Sequence, residues 1–473
     1  MSQKYPTYSG LNLPNVASRV LEQWERERVF EQSVEKREGQ KPFIFFEGPP
    51  SANGLPGIHH AMGRSIKDIF CRYKTLKGFQ VKRKAGWDTH GLPVELGVEK
   101  ELGITKEDIG KKISVEEYNT ACKKAVMRYT DIWNDLTQKM GYWVDTDNPY
   151  ITYDSKYMES VWWLLGQLYN KDLMYKGYTI QPYSPKAGTG LSSHEINQPG
   201  CYRDVTDTTV VAQFKMVDGQ STPFGLDRGV DFMAWTTTPW TLPSNTALTV
   251  GPKIEYVLVK TFNQYTFEPI NVVLAKNLVG YQFKKPYVLA ESDEDFANYS
   301  AGDKKIPYAV LGECVGADLA GLKYEQLLPY ALPMEDPEKA FQVITGDFVT
   351  TEDGTGIVHT APTFGADDAK VAKDAGVPGL LVEDDKGNAV PLVDLQGRFR
   401  PEMGEFAGMY VKNEYYNEGE APDKSADVQL AIKLKIENKA FRVEKYVHSY
   451  PHCWRTDKPV LYYPLDSWFI KVT

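Results

Sequence analysis

The pattern of apolar and polar residues near the start of the chain predicts a strand, a tight turn and a helix. Phe43 to Phe46 form a short apolar run that ends at Gly48-Pro49-Pro50, which is typical of a buried strand that stops abruptly. From about His60 the spacing becomes helical, and its apolar members fall on one broad face: Met62, Ile66, Ile69, Phe70, Tyr73 and Leu76. A second strand is predicted at 79–84. Strand, helix and strand in this order predict a doubly wound α/β fold.

Longer patterns predict further helices and a large β-rich segment. Helical spacing predicts further helices, among them 16–35, 115–140 and 160–169. In the last of these, Trp162 and Trp163 are expected to pack in the core. From about 199 to 444 the chain changes to short runs rich in Val, Thr and Tyr, separated by Gly and Pro, which is typical of strands and turns.

Composition and charge narrow the class of protein without giving a function. Of the 473 residues, 42% are hydrophobic and 12% aromatic, which indicates a globular chain long enough for about two or three domains. The net charge of -9 argues against wholesale electrostatic binding of nucleic acid, but it does not exclude a local basic groove. The five cysteines form no C-x-x-C pair, and no apolar stretch approaches the length of a membrane span. We therefore expect a cytoplasmic protein.

Candidate chemistry lies at the start of the predicted helix and at the end of the second strand. His59 and His60 stand at the mouth of the helix, where free N–H groups and a partial positive charge suit a phosphate. Asp88 lies in a glycine-bounded loop, where a carboxylate can hold an ammonium group by a charge-assisted hydrogen bond. On the residues alone, the histidines could equally decorate a helix start, and Asp88 could cap a turn.

Two longer strings extend this chemistry to a family. EGPPSANGLP and GWDTHGLPVE, the second running from Gly86 to Glu95, closely resemble the class I aminoacyl-tRNA synthetases. The HGLPVE ending is similar to the isoleucyl branch in particular, and the resemblance covers essentially the whole chain. It implies that His60 approaches the phosphates of ATP, which is bound with Mg2+, and that Asp88 holds the amino group of the amino acid. It also implies that Pro49 lines the pocket for the aliphatic side chain.

The signature of this family is altered here. Relatives read His-x-Gly-His, whereas the four positions are Gly57-Ile58-His59-His60, so the first histidine and the glycine have exchanged places. In the family, the glycine lets the adenine lie close against the backbone. We expect Gly57 to remain part of the substrate site and His59 to reach the phosphates from a shifted backbone. Adenine-mimicking inhibitors of the pseudomonic-acid class are then expected to bind less well.

Two motifs in the β-rich segment also match the family. The first is the threonine run that begins at Trp235, and the second joins GTGIVHTAP at 354–362 to GADD at 365–368. Alone, the threonines are typical of a strand end and the aspartates of a helix N-cap. The resemblance implies an editing domain that hydrolyses valyl-tRNA and whose site residues are Thr236, Thr237, Thr238, His359 and Asp368. The threonines would line the pocket, the histidine would approach the terminal ribose, and the aspartate would bind the amino group of the wrong amino acid.

Editing in such an enzyme is needed because one binding pocket distinguishes isoleucine from valine only weakly. Valine lacks one methylene of isoleucine, and in a hydrophobic pocket this changes binding by only about 1–3 kcal/mol, a magnitude known from this same enzyme family. A second, smaller sieve that admits valine and excludes isoleucine supplies the remaining discrimination.

The resemblance implies a domain organisation. Residues 1–198 would form the N-terminal part of a Rossmann-like catalytic domain with a connective piece, 199–444 the inserted editing domain, and 445–473 the return to the connective piece and the core. The expected fold is therefore α/β, with the first half of a nucleotide-binding core and a large β-rich insertion. In relatives the connective piece holds zinc on four cysteines, but the matching positions here are Ser184, Ala187, Cys453 and Thr456. Since structural zinc needs about four N or S ligands, we predict no zinc there.

The expected activity is ligation, in which isoleucine is activated with ATP and passed to isoleucine tRNA by a monomer. The family's Lys-Met-Ser-Lys-Ser loop and anticodon-binding region are not in these 473 residues, so we expect a chain without its C-terminal half. Valyl and leucyl synthetases are the near alternatives. A small nucleotidyltransferase would not need so large an insertion, and a free-standing trans-editing hydrolase would not carry GWDTHGLPVE.

Overall fold

A small parallel sheet organises the first part of the chain in the computed structural model, which describes residues 10–472. Its elements are α1 (Leu13–Arg26), α2 (Val29–Glu35), β1 (Pro42–Phe46), α3 (Ile58–Leu76), β2 (Gln80–Trp87), α4 (Leu92–Leu102), α5 (Val115–Val126), α6 (Thr130–Lys139), β3 (Asp145–Ile151) and α7 (Ser155–Asn170). β1 and β2 are parallel neighbours, with Pro42 opposite Gln80, and β3 is parallel to β2 on its other side. The predicted order of strand, helix and strand is therefore confirmed.

The chain divides into two compact units. The first holds the described residues up to Tyr175 together with those from Ile470, and the second holds Lys176–Phe469. The connective piece that begins near Lys176 thus clusters with the second unit. The boundaries of the inserted domain, at 199 and 444, fall inside that unit and remain a prediction.

The apolar stripe of α3, which apolar spacing places on one face of the helix, is exposed in the structure. Each stripe residue is between 52% and 83% exposed: Met62, Ile66, Ile69, Phe70, Tyr73 and Leu76. The buried side of the helix carries Arg64, Cys71 and Thr75 instead, and Arg64 Nη1 donates a hydrogen bond to Thr137 Oγ1 at 2.6 Å. The helix therefore packs through its polar side, because periodicity identifies an apolar face but not the neighbour that covers it.

Strand β1 and helix α7 also expose apolar side chains, which the sequence analysis predicted to be buried. β1 is an edge of the three-stranded sheet, and Ile44 and Phe46 are 63% and 61% exposed, although their apolar run predicts a buried strand. Trp162 and Trp163 were expected in the core, yet each is 64% exposed, and α7 has no buried residue. The predictions of burial are wrong because, among residues 10–472, no element covers these side chains.

Two of the predicted long helices are interrupted. The helix expected over 115–140 is divided into α5 and α6 because the Tyr129 N–H donates to Ala52 O at 3.0 Å instead of continuing the helical ladder. The helix expected over 16–35 is divided into α1 and α2, since Arg28 adopts a left-handed backbone with φ of 48°. Such breaks depend on partners distant in sequence or on a single backbone angle, and apolar spacing does not reveal them.

The second unit is built on a ten-stranded sheet. Its strands, with those of smaller sheets, are β4 (Met174–Ser184), β5 (Thr189–Gly190), β6 (Tyr202–Lys215), β7 (Asp231–Thr236), β8 (Ala247–Val250), β9 (Glu255–Phe262), β10 (Pro269–Ala275), β11 (Tyr287–Leu289), β12 (Ile306–Val315), β13 (Gln342–Thr345), β14 (Ile357–Thr360), β15 (Val382–Glu383), β16 (Ala389–Val390), β17 (Ala440–Pro451) and β18 (Leu461–Ile470). The helices are α8 (Ser193–Ile196), α9 (Val279–Gln282), α10 (Asp293–Ala297), α11 (Ala366–Asp374) and α12 (Ala426–Ile436). The large sheet has the order β11-β12-β9-β10-β7-β14-β8-β13, and β6 pairs with both β7 and β17. The expected β-rich character is confirmed.

Both faces of the large sheet are covered by apolar side chains. On β7, Phe232 belongs to one hydrophobic cluster and Met233 to another, and both are fully buried. Leu258 and Val259 on β9 separate in the same way, as the alternation of side chains along a strand requires. This unit therefore has a core of its own. Throughout residues 10–472, the helices are all too short or too polar to cross a membrane.

Candidate functional site

The mouth of α3 is formed by a glycine cap and two histidines. Gly57 caps the helix, and its N–H donates to His60 Nδ1 at 2.9 Å. Since Nδ1 accepts, the neutral ring carries its proton on Nε2. Burial lowers the pKa of His60, and the neighbouring His59, Arg64 and Lys67 lower it further. The structure thus brings His59 and His60 together at the helix start, with their ring centroids 3.8 Å apart, and favours a neutral His60.

Gly57 leaves no room for a side chain while His59 keeps its place. An ideal Cβ at Gly57 would lie 2.9 Å from Cε1 of His59, which is closer than real Cβ atoms approach other atoms. His59 is exposed, so its ring can move away. The glycine and the histidine of the exchanged signature are therefore coupled, because the missing side chain at Gly57 lets His59 lie against the cap.

Asp88 is held beside the turn that follows β1. Its backbone N–H donates to Pro50 O at 3.0 Å, and Ser51 Oγ donates to the carbonyl oxygen of Asp88 at 3.0 Å. These two bonds tie the end of β2 to the turn that contains Pro49. The carboxylate of Asp88 is exposed, and its only close contact among the described residues is a long one of 3.5 Å from His90 N. The carboxylate is therefore free to bind a cation.

Glu47 is a buried acidic residue at this site that the sequence reasoning missed. It is 3% exposed, and Lys67 Nζ lies 2.5 Å from its Oε1. The Tyr142 hydroxyl donates to the other carboxylate oxygen. The signal in the sequence is a lone carboxylate directly after an apolar strand, where a buried charge requires partners. Through Lys67, Glu47 thus joins α3 to the end of β1.

The threonine motif of the second unit is placed by strand pairing. Trp235 of β7 pairs with Val358 of the parallel strand β14, so the next residues, Thr236 and His359, emerge at the same end of the sheet. Thr236 Oγ1 accepts a hydrogen bond from Thr238 N at 3.0 Å, and their hydroxyls are 3.3 Å apart. A short 3-10 helix, Pro239–Ser244, then carries the loop over the sheet end. The structure thus brings Thr236, Thr238 and His359 together.

His359 is buried, and both of its ring nitrogens have partners. Nε2 lies 3.0 Å from Thr241 Oγ1, and Nδ1 lies 2.9 Å from Asn245 Nδ2. Burial lowers the pKa of His359 to about 3, so the ring is neutral at physiological pH. Thr241 and Asn245 were absent from the predicted site, although both lie in the same motif as the threonine run. Thr237 is partly exposed, and its side chain forms no hydrogen bond with the rest of residues 10–472.

Asp368 lies in the first turn of α11 and folds back toward β14. Its Oδ2 accepts a hydrogen bond from Ala361 N at 2.8 Å, two residues after His359. Burial of the carboxyl group raises the pKa of Asp368 to about 6, which leaves it mainly ionised at neutral pH. No group in residues 10–472 donates to Oδ1, so this oxygen is available to a ligand.

Three of the four positions that match the zinc ligands of relatives make hydrogen bonds within two turns, and the Thr456 hydroxyl is buried without a partner among the described residues. Ser184 Oγ accepts from Ala187 N at 3.3 Å, which closes the first turn. The Cys453 N–H donates to Lys458 O at 2.8 Å in the second turn, and its thiol is free. The single thiol and the Ser184 and Thr456 hydroxyls are a poor donor set for structural zinc, and its absence stays a prediction.

Comparison with known proteins gives a consistent result. A family model described as tRNA synthetases class I (I, L, M and V) matches residues 19–473. The chain is 60% identical over 495 residues to the isoleucine--tRNA ligase of Bacteroides fragilis, covering 100% of this chain and 42% of that protein. It is 59% identical to the protein of that name from Porphyromonas gingivalis and 62% identical to that from Cytophaga hutchinsonii, with 100% and 98% of this chain covered and 42% and 41% of theirs.

The match to these curated relatives spans only part of their length, about two fifths in each case. Among solved structures, "The crystal structure of GlLeuRS-CP1" aligns with 50% of this chain and 96% of that chain at a TM-score of 0.31 and 15% identity. A likeness at that level is too distant to bear on the chemistry.

Proposed function

Because the chain belongs to the class I tRNA synthetases of the isoleucine, leucine, methionine and valine group, we propose that it forms the N-terminal portion of an isoleucine--tRNA ligase. The observation that supports this choice within the group is the 59–62% identity to isoleucine ligases over 98–100% of the chain. The whole enzyme would join isoleucine to ATP, release pyrophosphate and pass the acyl group to isoleucine tRNA. A cytoplasmic, monomeric enzyme remains our prediction.

The first unit would supply part of the site for adenylate formation. In that step the isoleucine carboxylate attacks the α-phosphate of ATP, and no protein nucleophile is needed. Catalysis then depends on positioning and on stabilising charge. We assign the phosphates, with their Mg2+, to the N-terminus of α3 beside His59 and His60, and adenine to the backbone near Gly57. The free carboxylate of Asp88 would hold the ammonium group of isoleucine, with Pro49 against its aliphatic side chain.

The second unit would supply hydrolytic editing of valyl-tRNA, within an inserted domain that we place at 199–444. Thr236, Thr237 and Thr238 would line the pocket, and His359 would contact the terminal ribose. Because the His359 ring is neutral and both its nitrogens are engaged within the unit, we assign it to a packing contact with the ribose rather than to proton transfer. Asp368 would bind the ammonium group of valine through its free Oδ1.

Deacylation of mischarged tRNA tests this proposal directly. We expect the chain to hydrolyse valyl-tRNA but not isoleucyl-tRNA, both prepared on isoleucine tRNA. Asp368→Ala should slow the reaction roughly 10- to 150-fold, as expected for one lost hydrogen bond to a charged group. The matched control is Asp367→Ala, since Asp367 is the adjacent, exposed carboxylate of the same helix turn. Equal losses in the two variants would contradict the assignment of Asp368.

A hydrolase that edits without synthesis is the second candidate, because all the assigned editing residues lie within the unit that has its own core. Isoleucine-dependent exchange of pyrophosphate into ATP distinguishes the two. A full-length protein that carries this chain should catalyse the exchange and lose it in Asp88→Ala. Deacylation without any exchange would favour the editing-only alternative, and exchange with valine or leucine instead would favour the neighbouring branches of the family.

A further inference from the structure

A buried tyrosine is hydrogen-bonded to the asparagine that lies beside His359. Tyr324 is 2% exposed, and its hydroxyl donates to Asn245 Oδ1 at 2.6 Å. Asn245 is itself 3% exposed and lies 2.9 Å from His359 Nδ1. The tyrosine is therefore one residue removed from the histidine of the candidate editing site.

The orientation of the Asn245 amide is determined by what surrounds it. Its Nδ2 faces two carbonyl oxygens, that of Ala247 at 2.8 Å and that of Thr360 at 3.4 Å, and both require a donor. Its Oδ1 faces the Tyr324 hydroxyl, which can donate. Reversing the amide would place oxygen against oxygen on one side. Asn245 therefore presents an N–H to His359 Nδ1.

The direction of the remaining hydrogen bonds follows from this. Because His359 Nδ1 accepts, a neutral ring must carry its proton on Nε2. Nε2 then donates to Thr241 Oγ1 at 3.0 Å, and the Thr241 hydroxyl donates to Thr238 O at 2.8 Å. Every donor points the same way, from Tyr324 through Asn245, His359 and Thr241 to the backbone of the threonine loop.

We propose that Tyr324 is a positioning residue that, through Asn245, fixes the Nε2–H tautomer of His359 and thereby the threonine loop. The consequence for catalysis rests on the proposed editing function, but the tautomer does not. Without the hydroxyl, the buried Asn245 Oδ1 has no hydrogen-bond donor, and the amide loses one of the contacts that fix its orientation. Only Ala247 O and Thr360 O then hold the amide, so it reverses part of the time. A reversed amide accepts from the Nδ1–H form of His359, and this form turns the bond to Thr241 from donor to acceptor. The Thr241 hydroxyl must follow and releases Thr238 O.

Nitrogen-15 spectra of histidine-labelled protein test the tautomer directly. The chain has seven histidines, and a His359→Gln sample identifies the signals of His359. We expect the unmodified chain to show a protonated Nε2 and an unprotonated Nδ1. Tyr324→Phe should move the two shifts toward each other, as exchange between tautomers requires. A protonated Nδ1 in the unmodified chain, or unchanged shifts in Tyr324→Phe, would overturn the proposal.

The matched control is Tyr415→Phe. Tyr415 is also buried, and its hydroxyl donates to Pro459 O at 2.9 Å, away from the site. It should lose stability as any buried tyrosine does and leave the His359 signals unchanged. In the deacylation assay, Tyr324→Phe should lower kcat about tenfold with little change in KM. Tyr415→Phe should leave both kcat and KM unchanged. Equal kcat values in the two variants would contradict the role of Tyr324. If the unmodified protein hydrolyses no valyl-tRNA, the proposed function fails while the spectra still decide the role of Tyr324.

Discussion

The two candidate sites differ in how far the described chain encloses them. His359 is 7% exposed, and both of its ring nitrogens have partners within the same unit. At the mouth of α3, His59 and Asp88 are exposed, and hydrogen bonds hold mainly the backbone around them. The site in the second unit is therefore preorganised by buried side chains. The site in the first unit is positioned by hydrogen bonds of its backbone, and its side chains remain exposed.

The ion pairs near the two sites also differ in how exposed the lysine side chain is. Near the threonine loop, Lys412 Nζ lies 2.9 Å from Asp207, and the lysine side chain is only 6% exposed. Near the mouth of α3, Lys67 Nζ lies 2.5 Å from Glu47, but this lysine side chain is 37% exposed. A charge that can reach water tolerates the loss of its partner better than one that cannot. The second unit should therefore be the more sensitive to loss of a carboxylate.

The largest expected effect is the loss of Asp207. Asp207→Ala removes the nearer carboxylate of the buried Lys412 and leaves Asp427 at 3.9 Å, so it should lower the free energy of unfolding by about 3 kcal/mol, the low end for a broken buried pair. Glu47→Ala leaves a lysine that can turn to solvent and should cost about 1–3 kcal/mol. Denaturant unfolding of both variants measures the difference. A loss in Glu47→Ala as large as that in Asp207→Ala would remove the contrast between the units.

The next effect is the pH dependence contributed by His359. Its pKa is lowered by burial to about 3 from an ordinary 6.5, so between these values the unfolded state binds more protons. The stability it contributes is complete above pH 6.5 and is lost as the pH falls toward 3. Inside that window the slope is about 1.4 kcal/mol per pH unit, so roughly 3 kcal/mol is lost between pH 6 and pH 4.

Buried carboxyl groups of the same unit oppose this dependence. Burial raises the pKa of Asp368 to about 6 and that of Asp427 to about 7, so their contributions are complete below pH 3.8 and are lost as the pH rises through those values. Comparison of the unmodified chain with His359→Gln isolates the histidine, because the carboxyl groups are common to both. Parallel stability curves from pH 6 to pH 4 would show that His359 is not held neutral.

Sequence reasoning succeeded where local pattern and packing agree and failed where packing decides alone. The strand, turn and helix around Gly48-Pro49-Pro50 were predictable because a short apolar run, turn residues and helical spacing are local signals. The exposure of the α3 stripe was not, since burial depends on which surface meets which neighbour. Thr241 and Asn245 were missed for a similar reason. A polar residue that supports a site differs from an ordinary polar loop residue only in its tertiary contacts, which the sequence does not show.

A smaller effect is expected at the exchanged signature. Gly57→Ala places a Cβ 2.9 Å from His59 Cε1, and because that ring is exposed it should move rather than unfold the helix. Stability should change by less than about 0.5 kcal/mol. Pyrophosphate exchange by a full-length protein that carries this chain should fall about tenfold if His59 contacts the phosphates. Gly63→Ala, on the same helix with open space around it, is the control that should leave exchange unchanged.

The double variant with Gly57→His and His59→Gly restores the usual order of the signature. It should bind adenine-mimicking inhibitors of the pseudomonic-acid class more tightly, because the backbone at 59 becomes accessible to a flat ring. An unchanged inhibition constant would show that the exchange of residues does not control that pocket.

The smallest expected effect is at the surface stripe of α3. Leu76 is 83% exposed, and Leu76→Ala should change the free energy of unfolding by less than about 0.5 kcal/mol. Leu258 is fully buried in the second unit, and Leu258→Ala should cost about 2–5 kcal/mol. Urea unfolding at two protein concentrations compares them. A larger loss in Leu76→Ala that grows with protein concentration would mean that copies of the chain bury the stripe against each other. The stripe of the first unit would then be buried between two chains, whereas Leu258 of the second unit is buried within one.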